Sequence, residues 1–281
     1  MSRQQSQRLA VAVITGVAVL VFIPVILVIL FLIINGIGAL NWEFLTQAPR
    51  NGMKEGGIMP AILGTLILTL GTALVSMPVS ILAAIYLAEY AKDNRLTRTI
   101  RMAIVNLAGI PSIVYGLFGL GAFVLAARFG TSILAGSLTL GIMTMPVVIS
   151  TAEEAINAVP QLFRTVSLSL GATKWQTIRH QVLPHALPGI LTGMILGLSR
   201  AAGETAPILF TVAAFYVPTL PRSIFDQTMA LPYHLYVIAT QVPGMPLQIQ
   251  YGTALVLLLI TLTLTLLATG VRTSVRRRRD W

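Results

Sequence analysis

Arg200 and Glu204 stand four residues apart in an otherwise apolar stretch that runs from Ile190 to Phe215. A charge at mid-bilayer costs roughly 2.5–3.5 kcal/mol even on the mildest scale, and such residues face a bundle interior or a water-filled path. Spaced i, i+4 in a helix, both side chains share one face. Arginine brings a planar, permanently charged fork that fits carboxylate or phosphate oxygens. Two readings stay open. In one, Glu204 neutralises Arg200 and the pair braces helices. In the other, Arg200 meets an oxyanion, while Glu204 keeps it compensated in the empty state and discourages overtight retention. Thr205 follows directly and joins the pair as a pathway candidate. Gly203 permits close backbone approach, and Pro207 frees the Gly203 carbonyl to line a path.

The elements that hold this pair follow from composition. The chain has 281 residues, 56% hydrophobic and 10% charged, with mean hydropathy +0.84. Soluble domains carry about 25% charged residues, so this is an integral membrane protein. Crossing takes about 20 helical residues. Six spans are expected, at roughly 11–34, 58–88, 102–127, 131–150, 186–214 and 251–271. The fold class is therefore an all-α membrane bundle of one domain. The first span is too long for the apolar core of a signal peptide and lacks a cleavage site.

An even number of spans puts both termini on one side. Arg3, Arg8, Lys92, Arg95, Arg98, Arg101, Arg164, Lys174, Arg179, Arg272 and Arg276 to Arg279 fall on that side, against Arg50, Lys54, Arg128 and Arg222 on the other. The positive-inside rule makes the richer side cytoplasmic. Arg276 to Arg279 then serve as a topology anchor, and no nucleic-acid partner is expected. The chain has no cysteine, and its histidines are scattered; no metal site is expected. It also lacks a G-x-x-x-x-G-K-[ST] phosphate loop, so it cannot hydrolyse ATP by that route.

Two long segments face outward, Gly36 to Gly57 and the proline-rich Tyr216 to Gln250; they are passive connections or a docking surface for an outside partner. The cytoplasmic segment 150–184 says more. Ser150 to Glu153 has the form of a capping box. Pro160 suits the first turn of a helix ending near Leu170, with Phe163, Val166 and Leu170 on one face. Gly171 supplies a left-handed stop. Thr173 to Gln176 repeats the capping-box form, with Trp175 inside it, and Pro184 closes the second helix. This amphipathic, basic hairpin lies on the membrane surface or inserts into a groove on a cytoplasmic protein. Glu154 is either a helix cap or a coupling residue. Thr65 and Thr69 face a pathway or bond within the bundle. Pro111 and Pro146 read as kinks. Glu89 sits at the cytoplasmic end of the second span, where exposure is cheap.

The same segment resembles the permease subunits of binding-protein-dependent ABC importers, whose loop carries E-A-A, three residues, glycine, nine residues and I-x-L-P. Gly171, Leu183 and Pro184 match; Thr165-Val166-Ser167 and Gln181 depart, so a carboxylate of the pattern is absent. Further strings resemble the permeases of the phosphate-specific importer over roughly residues 56 to 215: Gly64-Thr65-Leu66, Ala84 to Ala91, Pro111 to Phe118, Glu153 to Ile156, Gly171 to Trp175 and Arg200 to Pro207. The continuation of R-x-x-G-E-T as A-P-x-L-F-T looks like the A-type of that system's two permeases.

The resemblance implies a type I ABC-importer fold of the MetI-like kind and a heterodimer with a C-type permease. It implies a cytoplasmic ATPase dimer carrying ATP and magnesium, an extracytoplasmic phosphate-binding protein, and ATPase docking through Glu154, Phe163, Gly171, Trp175 and Pro184. No cofactor is expected on the chain itself; membrane lipid is. Another oxyanion would use the same scaffold. Readings from other classes are a gradient-driven carrier with Glu204 as proton site, for which no internal repeat is visible, and a membrane signalling subunit.

Overall fold

Apolar runs of this length can satisfy their backbone in lipid only as helices. The computed structural model describes residues 3–277. Arg278 and Arg279 of the expected topology anchor, and the side chains of Arg3, Arg8, Arg276 and Arg277, lie outside the description. Helix α1 (Arg3–Gly36) is apolar all round and none of its spanning window is buried. It touches the bundle near its end, where Phe31 meets Tyr251 edge-on at 5.4 Å. A short helix α2 (Trp42–Thr46) follows, capped by the Asn41 side chain, which accepts from the Phe44 N–H at 2.7 Å. A small hairpin, β1 (Pro49–Arg50) with β2 (Glu55–Gly56), completes this outward segment.

The body of the protein is α3 (Met59–Ile85), α4 (Arg95–Ala108), α5 (Ser112–Gly119), α6 (Ile133–Asn157), α7 (Gln161–Ser169), α8 (Lys174–Thr177), α9 (Leu183–Gly203), α10 (Ala206–Thr211), α11 (Leu231–Thr240) and α12 (Leu247–Arg277). Wide π turns extend three of these, at Tyr86–Tyr90, Leu120–Ala126 and Ile178–Val182. Helix α6 is the most buried and lies between α3 and α9. Its contact with α9 depends on Gly189, Gly193 and Gly197. A Cβ at these positions would come within 2.4 Å of Ala155, 2.8 Å of Thr151 and 2.9 Å of Val148. Small residues every fourth position allow this close approach where no hydrophobic effect drives helices together in lipid.

Five described helices are long and apolar enough to cross a membrane, and a sixth crossing exists if a bent pair is counted as one. That pair departs from the expected single span at 102–127: α4 and the α5 segment meet at 103°. Pro111 holds an extended backbone (ψ 136°) and pushes Ile110 away from helical geometry. The Tyr115 hydroxyl then donates back to the Leu107 carbonyl at 2.8 Å across the bend.

Three further boundaries differ from the sequence reading. Ser150 to Glu153 cap nothing, because α6 runs unbroken to Asn157. Pro184 does not end the second hairpin helix, because a continuous helix spans Lys174–Gly203. A π turn just before the proline sends the Leu183 N–H five residues back to the Ile178 carbonyl. The fifth span does not run through to 214. It stops at Gly203, and Glu204 is extended (ψ 135°). Pro207 therefore sits in the first turn of a new helix, where its missing N–H is harmless, rather than freeing a carbonyl inside an old one.

Candidate functional site

The charged pair forms across the end of α9, not along one helix face. Arg200 occupies the last turn, where a cation complements the negative end of the helix dipole. Its Nε donates to Glu204 Oε1 at 3.0 Å, with side chains 39% and 17% exposed. Leu196, Arg200 and Gly203 are exposed at i, i+4 and i+7 along α9. A Cβ added at Gly203 would meet nothing within 4 Å. The pair thus lies on an open flank of this chain, at a break between two helices. Thr205 starts α10 without capping it through its side chain.

Behind Glu204 is a gap of about 10 Å³ shared with Thr65, Leu68, Leu140, Ala202, Ala230 and Pro232, among others. That is room for about one water. Thr65, Thr69 and Thr72 of α3 each donate to the carbonyl four residues back, at 2.7–2.8 Å, which is the within-bundle use of such hydroxyls. Thr65 also accepts the Leu231 N–H at 2.8 Å, so it ties α3 to the start of α11.

The second candidate is the hairpin α7–α8. Gly171 sits at φ +85°, the left-handed conformation the turn requires. Thr173 and Gln176 form the reciprocal capping box, and Ser167 bonds Thr177 at 2.9 Å to hold the two helices together. Of the predicted coupling residues, Trp175 is half exposed and Glu154 exposed. Phe163 turns inward instead. Its ring lies tilted by 35° against His185, centroids 4.5 Å apart, and packs against the buried Ile156 and Ile178 cluster. The outward apolar face is Leu162, Val166 and Leu170 with Trp175. Pro184 is partly buried inside the continuous helix.

Sequence reasoning missed the charges that seat this hairpin. Arg164 Nε and Nη2 both reach Glu89 Oε1, at 2.9 and 2.7 Å. Its Nη1 donates to the Val159 carbonyl at 2.7 Å and Nη2 to the Ile156 carbonyl at 2.9 Å. The two side chains are only 13% and 8% exposed, so Glu89 is not the cheaply exposed residue expected. Lys174 donates to the Glu89 carbonyl and lies 4.7 Å above the Tyr90 ring. A second charge contact, Arg101 to Glu153 at 2.8 Å, joins α4 to α6 without hydrogen-bond alignment. No signal in the sequence pairs residues 75 positions apart.

Comparison with known proteins bears on both sites. The sequence profile of the binding-protein-dependent transport system inner membrane component family matches residues 76–281. The chain is 31% identical over 252 residues to the probable ABC transporter permease protein YqgI of Bacillus subtilis, covering 86% of each. It is 34% identical over 238 residues to the phosphate transport system permease protein PstA 1 of Mycobacterium tuberculosis, covering 83% of this chain and 77% of that one. Among solved structures, a bacterial alginate ABC transporter in complex with its pentasaccharide-bound periplasmic protein superposes with a TM-score of 0.68 at 16% identity, over 94% and 93% of the chains. The inward-facing MetNI methionine transporter gives 0.64 at 16% identity, over 78% of this chain and 95% of that one. At such identity these two establish the fold, that of the type I ABC-importer permeases.

Proposed function

The chain belongs to the binding-protein-dependent transport system inner membrane component family, and from that premise we propose that it is the A-type permease of an ATP-driven phosphate importer. The observation that carries this reading is the Arg200–Glu204 pair, held at a helix break on an open flank. The fold neighbours are named for alginate and for methionine, so fold leaves the cargo unspecified and side chains must choose it. A guanidinium favours a small oxyanion, and the relatives named as phosphate permeases agree with that choice.

In this reading a second, C-type permease covers the flank that carries Leu196, Arg200 and Gly203, and the path runs between the two subunits. Arg200 donates to phosphate oxygens in exchange for the Glu204 carboxylate. Glu204 then restores the pair and releases the ion. The end bearing α7 and α8 is cytoplasmic, in line with its excess of basic residues. Leu162, Val166, Leu170 and Trp175 enter a groove on an ATPase that binds ATP and magnesium. A phosphate-binding protein docks at the opposite end, on the segments around α2 and α11.

Reconstitution with the C-type permease, the ATPase and the binding protein in proteoliposomes tests this. ATP-dependent phosphate uptake that requires the binding protein is expected. Uptake by the chain alone under a proton gradient would replace the reading with a gradient-driven carrier.

A further inference from the structure

The hairpin α7–α8 is joined to the bundle in two ways. Covalently, α8 continues through the Ile178–Val182 turn into α9, at whose far end stand Arg200 and Glu204. Non-covalently, Arg164 of α7 holds Glu89 in the Tyr86–Tyr90 turn, which continues α3. Helix α3 runs back to Thr65, roughly 35 Å away at 1.5 Å per residue, and Thr65 borders the gap behind Glu204. Both routes therefore start at one loop and end at two walls of one small gap. Both also pass through a π turn, a local widening often found at functional sites.

Resting on the importer reading above, we propose that the Arg164–Glu89 pair is a coupling latch, a positioning device that makes α3 follow the hairpin together with α9. The geometry suits a rigid link. Arg164 also donates to the Val159 and Ile156 carbonyls, so its guanidinium is fixed by α6 and the loop as well as by the carboxylate. Lys174, from the other arm of the hairpin, holds the backbone of the same glutamate. Neither arm can shift without moving Glu89. Without the latch, a pull on the hairpin would move α9 and leave α3 behind, and the gap would distort rather than open as a unit.

The experiment measures phosphate imported per ATP hydrolysed by the full reconstituted complex, with Glu89→Gln, Arg164→Gln and the double variant. Glu89→Gln keeps the side-chain shape and replaces only the charge. The expected result is a loss of about tenfold in phosphate per ATP in each single variant, with ATP hydrolysis within about twofold of wild type and the ATPase still bound. The double variant should be no worse than either single one, because both remove the same link. An unchanged ratio in Glu89→Gln overturns the proposal. So does a parallel loss of hydrolysis and uptake with release of the ATPase, which indicates a merely structural role. Failure of the importer reading is seen separately, as wild-type complex without ATP-driven uptake. In that event the thermal-unfolding cycle of the same three variants decides: non-additive losses support the latch, and additive ones overturn it.

Discussion

The protein contains two arginine–glutamate pairs that differ in nearly every physical respect. Arg200 and Glu204 are four residues apart, joined by one hydrogen bond, and 39% and 17% exposed. Arg164 and Glu89 are 75 residues apart and 13% and 8% exposed, and the arginine makes further bonds to two carbonyls. An exposed pair contributes little to stability, so its charges are free to exchange partners with a ligand. A buried pair is costly to break from one side, because the remaining charge stays desolvated. In the reading proposed above, the same two residue types therefore serve as a site in one place and as a fastening in the other.

Substitutions that separate site from fastening sharpen this contrast. The largest effect is expected from Arg200→Ala. Phosphate uptake should fall at least about 100-fold, the worth of charge-assisted bonds to an anion, while stability changes by less than about 1 kcal/mol. Substituting any one arginine of 276–279 should leave uptake near wild type. Wild-type uptake in Arg200→Ala at normal membrane levels would break the comparison. Next is Arg164→Ala, which strands the Glu89 carboxylate and should cost roughly 3–5 kcal/mol in thermal unfolding of the detergent-solubilised protein. A cost near that of Arg200→Ala would show the two pairs to be alike.

A third expectation separates acid sensitivity from both pairs. His234 of α11 lies outside the spanning helices and is 2% exposed; burial lowers its pKa from 6.5 to about 4. Because the folded state disfavours protonation, its contribution is complete above 6.5 and declines as pH falls toward 4. Stability should drop by about 2 kcal/mol between roughly pH 7 and pH 5, and His234→Leu should remove that part of the pH dependence. The smallest effect is expected from Thr173→Ala, which opens the capping box of α8 at a cost of about 1 kcal/mol, visible as a small fall in melting temperature.

Much of the architecture was legible because lipid restricts the choices. The long apolar runs of α1, α3, α6 and α12, the turn at Gly171 and the capping box at Thr173 all follow from local rules. Local rules also misled. Ser150 and Glu153 have capping-box spacing, yet α6 continues past them because its apolar face remains packed to Ile156. Pro184 does not end its helix, and Pro207 does not lie inside α9. The helix passes through Pro184 directly after a π turn, and the chain had already left the helix before Pro207. Phe163, expected outward, found a ring contact in His185, on a helix that the sequence alone would have ended one residue earlier.

By itself, the amino-acid sequence determined a helical membrane protein, the placement of charge on one end, and an Arg200–Glu204 pair beside an apolar run, since hydropathy and short chain separation are local properties. Only the tertiary structure decided that this pair closes a helix break on an open flank, that α4 turns away from α5, and that Glu89 is held by Arg164. Those outcomes depend on which distant segments meet, and that depends on packing. Glycines on α9 let α6 come close, and the buried charge then takes whatever partner the fold brings to it.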